Sequence, residues 1–279
     1  MILYQLAIAF VKNGEYMCFD KVTQVYFSPN GNTEKVIKAA SSRICNDITE
    51  YNLLKAPLTE DIKVSDDSVL IVAMPAYAGR IPELCVGMLH HLKGNRQPAI
   101  AMVVYGNRDY EDALIELKDI LEAEGFCVIG AGAFIAQHSI FPQIAAGRPD
   151  ENDLKLIAEF ADNCSHLLTE FSPDCYKHIK VKGNIPYITA GKVPLNPKGD
   201  SKCSGLCKCV RICPTHSISA ENPKKTNKET CISCGACIHI CPRNARAFHG
   251  ITYKIATKEF LKSCAEYKKP EMFYINQSP

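Results

Sequence analysis

Eight of the fifteen cysteines fall within the 39 residues from Cys203 to Cys241, in two runs that each end in Cys-Pro. The second run reads Cys231-Ile-Ser-Cys234-Gly-Ala-Cys237-Ile-His-Ile-Cys241-Pro242. This is the C-x2-C-x2-C-x3-C-P spacing that wraps a [4Fe–4S] cluster. The first run, Cys203-Ser-Gly-Leu-Cys207-Lys-Cys209-Val-Arg-Ile-Cys213-Pro214, keeps the outer spacings but has Leu206 where the second cysteine belongs. Structural zinc uses isolated C-x2-C pairs about 15–20 residues apart, and three cysteines at every third position do not suit one tetrahedral ion. Two runs imply two [4Fe–4S] clusters and one-electron chemistry. They also bring positive charge: residues 200–250 carry eight Lys/Arg against three Asp/Glu, a net of +5. Each oxidised cluster with its thiolates offsets about −2 of that.

The cysteine runs occupy a small part of 279 residues that are 47% hydrophobic, enough for one sizeable α/β core beside them. A net charge of +2 shows no commitment to nucleic acid or to a membrane surface, and no apolar run reaches the length of a membrane span. Residues 1–21 read as an N-terminal extension or edge segment. Their apolar start has no basic flank and no small-residue cleavage site, so it does not read as a signal peptide. Cysteines 18, 45, 85, 127, 164, 175 and 264 are scattered and read as reduced thiols, mostly buried. The expected compartment is the cytoplasm of a low-oxygen cell.

Residues 22–172 alternate strand and helix. Thr23–Ser28, Ile48–Leu54, Ser68–Met74, Pro98–Tyr105 and Phe126–Ile135 read as strands. Thr33–Cys45, Leu84–Leu92, Tyr110–Glu124 and Asp153–Phe171 have helical periodicity. The alternation predicts a doubly wound α/β fold with five parallel strands in the order 2-1-3-4-5. No Gly-x-Gly-x-x-Gly follows a strand, so the nicotinamide fingerprint is absent. Prolines and glycines break every period over 173–199, an ordered connector rather than a tether. The cysteine module spans 200–250, and 251–279 reads as a tail with one short helix around Ala256–Tyr267.

Three loops stand at expected strand carboxyl ends, where open parallel sheets bind ligands. Ser28-Pro-Asn-Gly-Asn-Thr33 opens a helix and can receive an anion on backbone N–H groups, although the same residues also make ordinary caps. Pro75-Ala-Tyr-Ala-Gly-Arg-Ile-Pro82 and Tyr105-Gly-Asn-Arg-Asp-Tyr110 each offer an aromatic ring, a glycine and an arginine, which suits a flat ring system with a phosphate tail. With these loops the stretch resembles a flavodoxin. Followed by the cysteine pair, the chain from about residue 22 to 250 resembles the ferredoxin-containing flavodoxin family, and Gly147-Arg-Pro-Asp150 is similar to that family too.

The resemblance implies FMN, with Ser28, Asn30, Gly31, Asn32 and Thr33 on its phosphate and Pro75, Tyr77, Gly79, Arg80, Tyr105, Gly106, Asn107 and Arg108 around its ring. The chain has no tryptophan, so Tyr77 or Tyr105 would lie against the flavin. In two-cluster ferredoxins the fourth cysteine of each run ligates the other cluster. Carried over, Cys231, Cys234, Cys237 and Cys213 hold one cluster, and Cys203, Cys209 and Cys241 hold the other. For Cys207 two outcomes stand: the loop re-forms around Gly205 so that the sulfur reaches iron, which is the favoured reading, or one iron lacks a cysteine. His138, His216 and His239 read as ordinary histidines. The expected function is electron transfer between clusters and FMN with a redox protein as partner; no group for enzyme catalysis stands out. The alternatives are a flavin-dependent reductase of a small acceptor such as a quinone, and a redox sensor that has lost FMN. Oligomeric state has no signature in the chain.

Overall fold

A computed structural model describes residues 9–12 and 15–275. Of the expected N-terminal extension, residues 9–12 and 15–18 pair as an antiparallel hairpin outside the main sheet; the rest of residues 1–16 lies outside the described residues. The main sheet has six strands: β1 (Lys21–Tyr26), β2 (Asp47–Asn52), β3 (Ser68–Pro75), β4 (Pro98–Tyr105), β5 (Cys127–Ile135) and β6 (Glu271–Tyr274). Their spatial order is β2-β1-β3-β4-β5-β6; the first five are parallel and β6 runs antiparallel on β5.

Every residue of β3, β4 and β5 is buried, because helices cover both faces of a doubly wound sheet. On one face, α1 (Asn32–Ile44) and α4 (Glu151–Thr169) set Val36, Ile37, Ile157 and Phe160 against Val69, Ile71 and Ile129. On the other, α2 (Glu83–Leu89) and α3 (Ala113–Ala123) bury Cys85, Leu89, Leu114 and Leu117. The start of α4 is set by Asp150 and Asp153, each accepting the other's backbone N–H in a capping box. Asp153 also takes two hydrogen bonds from Arg148, at 2.8 and 2.5 Å.

Asp112, at the head of α3, holds the segment after α4 by accepting from Asn184 N, Asn184 Nδ2 and Ile188 N at 2.8, 3.0 and 2.6 Å. Burial pushes its carboxyl up, but these donors and Arg80 outweigh burial and hold it below the usual range. The cysteine region has little regular structure: α5 (Lys208–Arg211), α6 (Ala236–His239) and a two-residue ladder. Of residues 251–279, expected as a tail with a helix around Ala256–Tyr267, 251–275 return to the sheet instead, and 276–279 lie outside the described residues. Helix α7 (Ile251–Ser263) starts earlier than expected and leads into β6. The cysteine region is therefore inserted before the last strand of the sheet, not appended after it.

Candidate functional site

The crossovers place the loops after β1, β3, β4 and β5 together at the carboxyl edge of the sheet. They floor a cavity of about 510 Å³, within the range of small-molecule sites. Asn30, Asn32 and Thr33 stand at its α1 end. Pro75, Tyr77, Tyr105, Gly106 and Arg108 form its middle. The roof comes from elsewhere in the chain: Gly191–Leu195 of the connector, Ile232 and Ser233 of the second cysteine run, and Ala256 and Phe260 of α7. An apolar cluster of Ile140, Phe141, Leu195, Phe248 and Cys264 holds roof to floor.

Five of the expected flavin residues are absent from these walls. Ser28 accepts from Glu34 N at 3.0 Å, and Gly31 supplies the left-handed turn, φ 84°, that opens α1. Gly79 packs under Glu111, with no room for a Cβ. Arg80, expected on the flavin, instead donates two hydrogen bonds to the buried carboxylate of Glu116, at 2.7 and 2.6 Å, and lies over the Tyr187 ring. Asn107 likewise ties down the end of α7, donating to the Cys264 and Glu266 carbonyls at 2.9 and 2.8 Å. Both side chains answer to partners distant in sequence, which loop composition does not reveal.

His138, read as an ordinary histidine, lines the cavity. Its Nδ1 accepts from Ile140 N and Phe141 N at 3.1 and 3.3 Å, which leaves the proton on Nε2. Burial first, and then the charge of Arg108, lower its pKa to about 4, so the ring is neutral at physiological pH. A Cβ on Gly106 would stand 2.6 Å from this ring. Gly106→Ala therefore pushes His138 into the cavity, and we expect ligand affinity there to fall about tenfold, roughly 1.4 kcal/mol, in a flavin titration followed by fluorescence.

The eight cysteines sort into two clefts. Cys213, Cys231, Cys234 and Cys237 line one, beside Ile232 and Gly235. Cys203, Cys207, Cys209 and Cys241 line the other, beside Leu206, Lys208 and Arg243. Cys209, Cys213 and Cys237 pack together with Ile218 between the two clefts. Backbone N–H groups already point at the sulfurs: Ser217 N to Cys213, Ser233 N to Cys231 and Ala245 N to Cys241, at 3.3, 3.4 and 3.3 Å. Among the described residues no three His, Cys, Asp or Glu side chains converge on a single ion. A cubane instead spreads its thiolates around a cage. Burial pushes the Cys234 thiol up to about 12 and raises Cys209 and Cys237, so these thiolates need the charge of bound iron.

The backbone around Cys207 follows that of the second run. Gly205 and Cys207 carry φ of 75° and 53°, the same left-handed pair as Ser233 and Gly235 at 56° and 80°. Cys207 thus occupies the counterpart of Gly235, immediately before the short helix α5, and Leu206 the counterpart of Cys234. Leu206 points outward, 53% exposed.

The family described as 4Fe-4S binding domain matches residues 224–247, across the second run. No curated protein matches the chain. Among solved structures, a flavodoxin from the domain Archaea is similar at 16% identity with a TM-score of 0.36, over 53% of this chain and 98% of that one. A flavodoxin, WrbA-like protein from Agrobacterium tumefaciens is similar at 12% and 0.39, over 55% and 99%. Rubredoxin oxygen:oxidoreductase from Desulfovibrio gigas is similar at 16% and 0.37, over 54% and 36%. The family match gives residues 224–247 a 4Fe–4S binding domain, and so at least one [4Fe–4S] cluster, and the strand order gives the preceding sheet the doubly wound fold of a flavodoxin. In particular, the chain is a flavodoxin-like domain fused to a ferredoxin domain. No helix among the described residues is long and apolar enough to cross a membrane.

Proposed function

We propose that this protein holds two [4Fe–4S] clusters and an FMN and passes single electrons between a redox partner and the flavin. The observation that carries the reading is Ile232, which stands in the wall of both the 510 Å³ cavity and the cleft of Cys213, Cys231, Cys234 and Cys237. The two sites share that wall residue. We call this cysteine set proximal and the set of Cys203, Cys207, Cys209 and Cys241 distal.

Bound there, the clusters supply one-electron chemistry, and FMN can store one electron or two. The chain's part is placement. Asn30, Asn32 and Thr33 at the α1 N-terminus suit a phosphate, with the helix dipole favouring its charge. Tyr77 and Tyr105 offer rings to a planar ligand, and His138 presents a neutral N–H donor to the same space. Ile232 and Phe260 give the roof an apolar surface over the same space. The test is anaerobic reconstitution followed by iron, sulfide and flavin counts. About eight irons and one flavin per chain are expected; both clusters without saturable flavin binding would favour the sensor.

Cys207 gives a sharper prediction. As a ligand working from the position of Gly235, it holds its iron near the surface. Cys207→Ala should lower the iron count below about eight and alter the electron paramagnetic resonance of one cluster only. The double change Leu206→Cys with Cys207→Gly, which gives the first run the spacing of the second, should restore both. An unchanged count and spectrum in Cys207→Ala would show that Cys207 is not a ligand.

A further inference from the structure

We propose that the face around the distal cysteine set is the docking surface for an acidic one-electron carrier protein. This rests on the electron-transfer reading above and adds the chemistry of the partner. The two cysteine sets differ in cover. Three of the four proximal cysteines, Cys213, Cys234 and Cys237, are buried and Cys231 is half-buried, whereas three of the four distal ones, Cys203, Cys207 and Cys241, are half-buried and only Cys209 is buried. The distal set is therefore the one a protein in solution can approach.

Four cations surround it. Lys202 precedes Cys203, Lys208 and Arg243 edge the cleft, and Arg211 leaves the far end of α5; all four are exposed. None enters an ion pair among the described residues, and Arg211 touches only the Leu206 carbonyl, at 3.5 Å. The acids nearest in sequence are Asp200 and Glu221. Asp200 accepts from Lys202 N at 2.8 Å, and Glu221 accepts from the Ser219 hydroxyl. Leu206, exposed and apolar, edges the same cleft as Lys208 and Arg243, and Ile240, 39% exposed, precedes Cys241.

Exposed apolar side chains beside unpaired cations suit a weak electron-transfer encounter. Such interfaces are small, and opposite charge steers them. These cysteines would hold the cluster in the cleft that Lys208 and Arg243 edge, so a partner would meet exposed cations on its approach. Each encounter moves one electron: the carrier is oxidised by one and this protein is reduced by one.

The experiment is stopped-flow reduction of the loaded protein by a reduced, acidic [4Fe–4S] ferredoxin, with a sulfonated viologen radical as a small donor for comparison. We expect the ferredoxin rate constant to fall at least about tenfold between low and moderate salt. It should fall by a similar factor in the double variant Lys202→Glu, Arg211→Glu, while the viologen rate changes less than about twofold. A ferredoxin rate that ignores both salt and charge reversal overturns the proposal, as does faster reduction by a basic carrier than by the acidic one. Iron and sulfide counts taken first separate two failures. A protein without clusters ends the electron-transfer reading itself; a loaded protein with a salt-independent rate ends only the docking assignment. Where the variant loses iron, the salt series on the unaltered protein decides.

Discussion

Cys237→Ser should give a protein that keeps about half its iron and whose flavin is no longer reduced through the distal cluster. Cys237 sits on α6, packed with Cys209, Cys213 and Ile218, at the centre of the proposed relay, and its cleft is the one that shares Ile232 with the large cavity. A serine oxygen is a poorer ligand than a thiolate for a soft iron–sulfur site. With the proximal set broken, an electron arriving at the distal set has no intermediate stop before the cavity. Cys241→Ser provides the contrast, since it touches only the distal set and leaves the stop beside Ile232 in place. Iron counts and flavin bleaching after mixing with a reduced ferredoxin read both variants. Flavin reduction at the unaltered rate in Cys237→Ser would refute the order distal, proximal, flavin.

The second large effect is on stability. Arg148→Ala should cost about 3–5 kcal/mol and lower the melting midpoint by about 10 °C. Arg148 and Asp153 have side chains 7% and 2% exposed. The guanidinium also donates to the Lys268 carbonyl at 3.0 Å and lies over the Tyr267 ring, 4.4 Å from its centre. Removing it strands a buried carboxylate and frees the segment that leads into β6. Burial pushes Asp153 up, but the Arg148 hydrogen bonds, the Asp150 N–H and the nearby positive charges outweigh burial, so its pKa lies below the usual carboxylate value. The stability from this pair is therefore present above the unfolded-state value of about 3.9 and is lost as pH falls through the folded-state value. Arg148→Ala has already lost it at neutral pH, so its acid limb should be flatter than that of the unaltered protein. Differential scanning calorimetry across pH checks both statements; a midpoint shift below about 2 °C would show that the pair contributes little.

Much of the sheet was legible because its central strands are buried on both faces. Ser-Val-Leu-Ile-Val-Ala-Met and Pro-Ala-Ile-Ala-Met-Val-Val-Tyr need no alternation to be recognised. The spacing within each cysteine run was legible too, because it is local; the exchange of Cys213 and Cys241 between the runs, which the two clefts also show, came from the ferredoxin resemblance. What escaped was set by distant partners. Glu271–Tyr274 is four half-buried residues with no period, a strand only because β5 leaves an edge to pair with. Arg80 and Asn107 sit in loops of suitable composition, but Glu116 and the end of α7 decide where they point. A single histidine at 138 carries no signal until Gly106 and Phe260 are seen beside it.

The insertion of the cysteine region ahead of α7 and β6 imposes an order on synthesis. When the ribosome has finished α4, the edge of β5 is bare and the cavity has a floor without a roof. About a hundred further residues must be made before α7 and β6 arrive, roughly 5–20 s at ordinary elongation rates. All eight clustered cysteines emerge in that interval. The cysteines are therefore all made while the flavodoxin-like sheet still lacks its last strand, and the cavity gains its roof only when residues 191–260 have followed its floor out of the ribosome.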